Sequence, residues 1–256
     1  MVSKKMNPVV DSHYSDAFSE LESSVQIALE TYSNVHRGNG QFSMVTTHLF
    51  EQARDIVLEY LGLSRDKFMV IFCTPRSAAA LLKKLSPESY QMVSSQDIGL
   101  SIGVRALAVK RNSLPKGAPF QTGGGTARLI SKDWVIWAKD SDKFEAGTPA
   151  IVNITAFAKA LRMLQQSGKD IFLNPPTEML TANEILYNDE LEKFSGQELL
   201  NELRKSLIGS GAQVPTMKGM VPFINLDNSA STPTFTPVWN AFRQTLRQPE
   251  QVRQEV

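Results

Sequence analysis

The sequence predicts an α/β protein whose small, mostly β-sheet core is covered by helices. Short apolar segments rich in β-forming residues stand at Phe68–Thr74, Val104–Arg111 and Asp133–Trp137. Segments with the three- and four-residue apolar spacing of amphipathic helices lie before, between and after them. With 256 residues, of which 42% are apolar, the chain is long enough to bury a core of this kind.

Two helices are predicted before the first strand. Residues 17–32 place their apolar side chains on one helical face, and residues 46–63 do the same. Gly62 stands where the second helix is expected to end. The first face comprises Ala17, Phe18, Leu21, Val25, Ala28 and Leu29, and the second comprises Leu49, Phe50, Ala53, Val57 and Leu61.

The strand at Phe68–Thr74 is almost continuously apolar, a pattern typical of strands buried in parallel sheets. A helix is predicted directly after Pro75, which gives a strand–helix unit. A longer helix is predicted from Pro149, a residue suited to a first helical turn, to Gly168. These three strands and the helix around residues 156–164 are expected to form the core.

The C-terminal third has a different pattern. Residues 174–220 have prolines at their edges and are predicted to form a linker with two short helices. Residues 221–256 are predicted to form a strand, a turn and a helix that runs on without a capping residue. Domains rarely end inside a helix, so we expect the chain to be a fragment of something longer. The linker's apolar stripe comprises Leu199, Leu200, Leu203 and Leu207.

Composition argues against several classes of function. Lys plus Arg number 27 and Asp plus Glu 26, and a net charge of +1 gives no electrostatic case for nucleic acid or an anionic membrane. One cysteine excludes a disulfide framework, and the three histidines have no zinc-ligand spacing. No apolar stretch has the length of a membrane span, and no secretory signal is present at the start. We therefore expect a cytoplasmic protein.

Two loops are candidates for binding an anion. Gly123, Gly124 and Gly125 allow close backbone approach, and successive amides can cup an anion; the alternative is a flexible turn between strands. Gly147 and Thr148 precede a predicted helix start, where free amides and a hydroxyl can bind phosphate. The alternative there is that Thr148 simply caps the helix.

Two further residues or pairs have a possible chemical role. His36 and Arg37, in a glycine-bounded loop, can bind a carboxylate or a phosphate, and the alternative is a solvated loop. Cys73 lies inside a predicted buried strand, which favours a packed and inert thiol over a reactive one.

Four motifs, in the order NVHRG, FEQAR, APFQTGGG and KFEAGTPA, together resemble the class V aminotransferase and cysteine desulfurase family. These are pyridoxal-phosphate (PLP) enzymes of fold type I, so the resemblance implies a reduced version of that fold. The segment INLDNSASTP is similar to a motif that the family carries near its N-terminus, before the NVHRG loop. The resemblance therefore implies a tandem arrangement. Residues 1–165 are predicted to be an abbreviated first copy, residues 166–222 a helical linker and residues 223–256 the opening of a second copy.

The resemblance also implies site roles. Gly147 and Thr148 resemble the pair that reaches across a dimer to the PLP phosphate of the neighbouring subunit. His36, Arg37 and the turn Gly123–Gly125 resemble residues that shape the mouth of the active site. The segment that resembles the family's substrate-covering element comprises Asn228, Ser229, Ala230, Ser231 and Thr232.

The family's catalytic groups are not found at their positions. Only Thr74 is left of the phosphate cup after the first strand, and Asp97 falls near the position of the Schiff-base lysine. PLP chemistry needs an imine-forming lysine and a carboxylate at the pyridine nitrogen. Three other lysines, Lys83, Lys84 and Lys110, lie outside the pattern. We therefore predict no catalytic residue in this chain.

Three functions remain open on the sequence. The chain is expected to be the non-catalytic N-terminal part of a PLP enzyme. It would complete a second aminotransferase-like domain or a homodimer partner, with an amino-acid substrate only in the complete enzyme. The second possibility is a scaffold or interaction module that kept the fold. The third is a phosphate or small-anion binder that uses Gly123–Thr126 and Thr148.

Overall fold

The computed structural model describes residues 12–36, 40–173, 180–187, 190–226 and 231–248. The helices are α1 Ser12–Glu30, α2 Gln41–Tyr60, α3 Pro75–Leu82, α4 Ile151–Ser167, α5 Ala182–Leu186, α6 Gly196–Lys205 and α7 Thr236–Leu246. The strands are β1 Phe68–Cys73, β2 Tyr90–Ser94, β3 Arg105–Lys110, β4 Ala127–Ile130, β5 Val135–Trp137, β6 Gln213–Thr216 and β7 Gly219–Pro222. The predicted class, α/β with a small sheet covered by helices, is confirmed.

The central sheet has three strands in the order β1-β3-β2, and both pairings are antiparallel. The expectation of a parallel sheet is therefore wrong. β1 is apolar throughout because each of its faces contacts a different hydrophobic core. Val70 and Phe72 pack into the main core with the long helices, whereas Ile71 and Cys73 pack into a second core with Ala78 of α3. Burial on both faces, rather than strand direction, explains the pattern.

The third strand of the central sheet is β2, which the sequence analysis did not predict. The segment Asp133–Trp137, expected in the core, instead contributes β5 to a separate two-stranded sheet with β4. β2 is an edge strand with Gln91 and Met92 exposed, so its apolar signal is weak. The hairpin β4–β5 carries exposed apolar side chains, including Ile130 at 72% exposure and Ile136 at 50%.

Three long helices cover one face of the central sheet. α4 packs against both α1 and α2, with Phe18, Phe50 and Phe157 fully buried between them. α2 begins five residues before the predicted start, and α4 begins two residues after Pro149. Both predicted ends hold, because α2 ends just before Gly62 and α4 just before Gly168.

The C-terminal third differs from the prediction in two places. Short helices α5 and α6 are present, but residues 213–222 form the hairpin β6–β7 rather than linker helix. None of the predicted leucine stripe on α6 is buried, and Leu200 is 49% exposed. The last of the described helices ends at Leu246, with Arg247 as its C-cap, and residues 249–256 lie outside the described residues. The expectation of a helix without a cap is therefore wrong.

α7 is part of the main core. Trp239 and Leu246 are buried in it, and the Arg247 guanidinium donates to both carboxylate oxygens of Glu22 on α1. The chain leading to α7 is fixed by Gly209, where a Cβ atom would stand 2.5 Å from the carbonyl oxygen of Glu30. Only glycine permits that approach to the end of α1.

None of the helices among the described residues combines the length and apolar character needed to cross a membrane.

Candidate functional site

The loop before α4 leaves Thr148 free. The N-cap of α4 is Ala150, which makes no side-chain capping bond, so the alternative in which Thr148 caps the helix is wrong. Thr148 is exposed, and no described residue hydrogen-bonds its hydroxyl. A hydroxyl in that state, two residues before a helix N-cap, can bind an anion.

The turn Gly123–Gly125 is held against this loop. The amide of Gly147 donates to the carbonyl oxygen of Gly124 over 2.9 Å. A Cβ on Gly123 would stand 3.3 Å from the Cβ of Ala146, so the predicted close approach is present. The amide of Gly123 donates to the Thr126 hydroxyl at 3.1 Å, which makes the turn a hydrogen-bonded unit. Because the amides of Gly123 and Gly147 already have acceptors, they do not form the expected anion cup.

The His36 loop is ordered by its neighbours. Asn34 and Val35 are buried, so among the described residues 34–36 of this loop only His36 is exposed. The His36 amide donates to the Thr47 hydroxyl at 3.0 Å, and the imidazole Nε2 lies 3.3 Å from a carboxylate oxygen of Glu51. Arg37 lies outside the described residues.

A buried ion pair joins α2 to the loop before α4. The Arg54 guanidinium donates from two nitrogens to the two carboxylate oxygens of Glu145, each at 2.8 Å. It also donates to the carbonyl oxygen of Val70 at 2.6 Å and to Glu51 at 3.2 Å. The amide of Phe72 donates to Glu145 at 2.6 Å. The carboxylate of Glu145 is therefore held by α2 and β1 together.

Electrostatics favour the charged form of Arg54. Burial disfavours its charge, but the carboxylates of Glu145 and Glu51 outweigh that cost and raise the pKa of Arg54 above its usual value. The rings of Phe50 and Phe72 lie 4.7 and 5.4 Å from the guanidinium carbon, which adds cation–π attraction.

These loops line one cavity of about 640 Å³. It brings together His36, Gly125 and Gly147, which come from three separate motifs. His36 and Asp140 have φ angles of +57° and +54°, the only positive values at non-glycine positions in the described chain, and both line it. Such backbone conformations cluster at functional sites. The charged groups of the wall are Glu51, Arg128, Lys139, Asp140, Asp142 and Glu145.

Thr148 faces a second cavity of about 230 Å³. Thr74 and Ser77 also line it, but each side chain caps the other's backbone at the start of α3. Cys73 lies at its edge and is buried, and burial raises the pKa of its thiol to about 12. The prediction of a packed cysteine is confirmed, and that of an inert one stays a prediction.

The described residues fit part of PLP and not the whole. Thr148 offers a free hydroxyl for the phosphate, but no lysine or aspartate lines the cavity that it faces. Asp97 accepts a bond from the Ser94 amide at 2.7 Å, a local turn away from both cavities. No chemical step through the cofactor follows from this arrangement.

Other candidates stand apart from the cavities or outside the description. The lysines weighed from the sequence, Lys83, Lys84 and Lys110, line neither cavity, whereas Lys139 lines the larger one. Asn228, Ser229 and Ala230 lie outside the described residues. Within the described ranges, no group of three or more His, Cys, Asp or Glu side chains could hold a metal ion.

Sequence reasoning missed the residues that connect the loops, namely Glu51, Arg54 and Glu145. One signal could have found Arg54. Arg54 follows Phe50 by four residues and therefore lies on the buried face of α2. A charged side chain on such a face requires a buried partner of opposite charge.

Comparison with known proteins finds a family resemblance in one segment of the chain. Residues 91–185 match the family model described as Aminotransferase class-V, so this segment is similar to the class V aminotransferase and cysteine desulfurase family. The matched segment contains β2 to α4, including both glycine loops, and excludes Glu51 and Arg54. PLP is the cofactor that this family implies.

The individual relatives are cysteine desulfurases. A probable cysteine desulfurase of Staphylococcus aureus is 33% identical over 89 residues, which cover 35% of this chain and 21% of that protein. One of Halobacterium salinarum is 38% identical over 116 residues, 44% of this chain and 28% of that protein. The chain thus spans less than a third of the length of these relatives.

Among solved structures, an apo cysteine desulfurase of Thermococcus onnurineus NA1 is similar over 60% of this chain and 65% of that chain, with a TM-score of 0.44 and 15% identity. A cysteine desulfurase of Escherichia coli gives the same TM-score of 0.44 at 14% identity, over 62% of this chain and 67% of that chain.

Proposed function

We propose that this chain is the N-terminal part of a PLP-dependent class V aminotransferase or cysteine desulfurase-like protein, and that it does not catalyse alone. It packs on, and completes, a catalytic partner, either a second aminotransferase-like domain or a homodimer partner. One observation carries the proposal. Thr148 offers a free hydroxyl, yet no lysine or aspartate lines the smaller cavity that Thr148 faces. An amino-acid substrate would bind only in the complete assembly.

In this proposal the Thr148 hydroxyl contacts the phosphate of a PLP that the partner holds, while Gly147, whose amide already donates to Gly124, holds the loop in place. A hydroxyl without an internal acceptor can donate to a phosphate oxygen, and the start of α4 adds a favourable dipole. His36 and Gly125 lie on the wall of the larger cavity, where an amino-acid substrate would enter. The division into residues 1–165, 166–222 and 223–256 stays a prediction.

The partner would cover the hairpin β4–β5. Leu129, Ile130 and Ile136 are each at least half exposed, and a two-stranded hairpin is marginal in water when it stands alone. Ala127 and Arg128 of the same hairpin line the larger cavity. A partner that brings a phosphate to Thr148, next to Gly147 on the wall of this cavity, would therefore also contact the hairpin.

The proposal is tested first by incubating the chain with PLP, reducing it with borohydride and mapping pyridoxyl-lysine by mass spectrometry. No stoichiometric adduct is expected, because no lysine lines the cavity that Thr148 faces. One stoichiometric adduct would contradict the proposal. Lys139 is the residue to inspect, since it lines the larger cavity, and Lys139→Arg would identify it.

Phosphate binding is tested separately by the rise in melting temperature with PLP or inorganic phosphate. A ligand at ~100 times its dissociation constant stabilises by about 2.7 kcal/mol. Thr148→Ala should abolish the rise. Thr155→Ala, whose hydroxyl bonds the Ile151 carbonyl within α4, is the matched control and should retain it. A flat response in the wild type, without an adduct, would favour the scaffold alternative.

A further inference from the structure

A continuous chain of polar contacts connects the two sides of the larger cavity. His36 contacts Glu51 at 3.3 Å, and Glu51 accepts from Arg54 at 3.2 Å. Arg54 then holds Glu145 with two bonds of 2.8 Å. Glu145 lies two residues before Gly147, so the contacts run from one loop of the site to the other.

Arg54 is the residue that connects Glu51, on the His36 side of the cavity, with Glu145, on the Gly147 side. Its side chain is 8% exposed, and that of Glu145 is 6% exposed, whereas the Glu51 side chain is 45% exposed. The Arg54 guanidinium uses one edge for Glu145, its Nε for Glu51 and a third donor bond for the carbonyl oxygen of Val70. A planar group with fixed donors can set the separation of its partners, which a flexible lysine cannot do.

The pair is poorly explained by stability alone. Burying two charges costs several kcal/mol of solvation, and well-packed apolar residues of similar volume are often equally stable. A bidentate pair does, however, fix geometry. This pair stands at the base of the two loops that flank the cavity.

We propose that Arg54 is a positioning residue, which holds the His36 loop and the Gly147–Thr148 loop at a fixed separation across the cavity. The inference rests on the proposed function for the identity of the ligand, because that function makes Thr148 a phosphate contact. The positioning of the two loops by Arg54 does not depend on the proposed function. Binding sites lose affinity when their groups are held loosely, even by about 1 Å.

The two loops contain natural reporters of their position. The His36 amide bonds the Thr47 hydroxyl at 3.0 Å, and the Gly147 amide bonds the Gly124 carbonyl at 2.9 Å. If Arg54 sets the loop positions, removing it opens both bonds. Hydrogen exchange at these two amides, followed site by site by NMR, measures that opening directly.

The experiment compares the full chain with the double variant Arg54→Met/Glu145→Leu, which replaces the charged pair with apolar side chains. We expect a melting temperature close to that of the wild type and exchange at both reporter amides at least ~10-fold faster. The inorganic phosphate concentration that gives half of the melting shift should rise ~10-fold. The control is Arg65→Met/Asp55→Leu, which removes an exposed pair of the same helix and should change none of the three.

The outcomes separate the two proposals. Unchanged exchange at both amides in the folded double variant overturns the positioning role. Faster exchange, with a wild-type chain that does not bind phosphate, supports the positioning role and contradicts the phosphate contact at Thr148.

Should the double variant fail to fold, Arg54→Lys keeps the charge and loses the fork. The same ~10-fold faster exchange is then expected at the two reporter amides, and wild-type exchange in Arg54→Lys would overturn the inference.

Discussion

The central sheet and the hairpin β4–β5 are built from similar apolar segments and end in opposite environments. Leu107 of β3 is completely buried, whereas Ile130 of β4 is 72% exposed. Each face of the central sheet contacts a hydrophobic core, but no residue of the hairpin belongs to either core. Apolar composition therefore specifies a strand without specifying what covers it.

The largest change in the free energy of unfolding is expected at the buried ion pair between Arg54 and Glu145, which lies beside the central sheet. Arg54→Met leaves Glu145 buried without its partner and should lower the free energy of unfolding by about 3–5 kcal/mol. Arg65→Met breaks the exposed pair with Asp55 and should change it by less than about 1 kcal/mol. Urea unfolding measures both. Equal effects would mean that burial of the pair does not matter.

The next effect concerns packing in the sheet itself. Leu107→Ala removes a fully buried side chain and should cost about 2–5 kcal/mol. Calorimetry or urea unfolding measures the loss. Leu129→Ala in the hairpin serves as the control, because that side chain is 53% exposed and its truncation should cost much less. Similar losses at the two positions would show that the hairpin is as well covered as the sheet.

An effect that depends on pH is expected from Cys73 in β1, and it is small near pH 9 and grows as the pH rises. Burial raises the pKa of the folded thiol from 9.0 to about 12, so the unfolded chain loses this proton first as the pH rises. The stabilising contribution is complete below about pH 9 and is lost between pH 9 and pH 12, by about 1.4 kcal/mol per pH unit. Urea unfolding of the wild type and of Cys73→Ala across this range should diverge with that slope. Parallel curves would contradict a buried, protonated thiol.

The smallest effect on stability is expected on the hairpin. Ile130→Thr and Ile136→Thr replace exposed side chains with β-branched polar ones and should shift the free energy of unfolding by at most about 0.5 kcal/mol. If the hairpin is the surface for a homodimer partner, the same variants should weaken self-association in sedimentation. The matched control is Met217→Thr on the turn of the β6–β7 hairpin, which should not. A loss of stability above 1 kcal/mol would show that the hairpin is already covered within the chain.

Much of the fold follows from local sequence patterns. Most of the two helix faces led by Phe18 and Phe50 is buried as predicted, because the three- and four-residue spacing depends only on the helix itself. Three members of these faces, Ala28, Leu49 and Leu61, are only half-buried. Strand pairing depends on residues distant in the chain. For that reason the antiparallel order β1-β3-β2 and the edge strand β2 did not follow from the pattern.

The candidate site shows the same limit. Gly147 and Gly125 were predicted as separate loops, and the structure brings them to one cavity. The pairing of Arg54 with Glu145 joins residues far apart in the sequence, so no local pattern could show it. The freedom of the Thr148 hydroxyl likewise depends on the α4 start at Ile151, two residues later than Pro149 suggested.

The position of α7 in the main core has a consequence for the predicted tandem arrangement. Trp239 of this helix lies in the same core as Phe18 of α1, and Arg247 is paired with Glu22. If residues 223–256 open a second copy, the boundary between the copies runs through a shared hydrophobic core. The two copies would then not move as independent domains joined by a flexible linker, since separating them would expose Trp239 to water. A displacement of one copy would therefore alter the packing of the other in the core that they share.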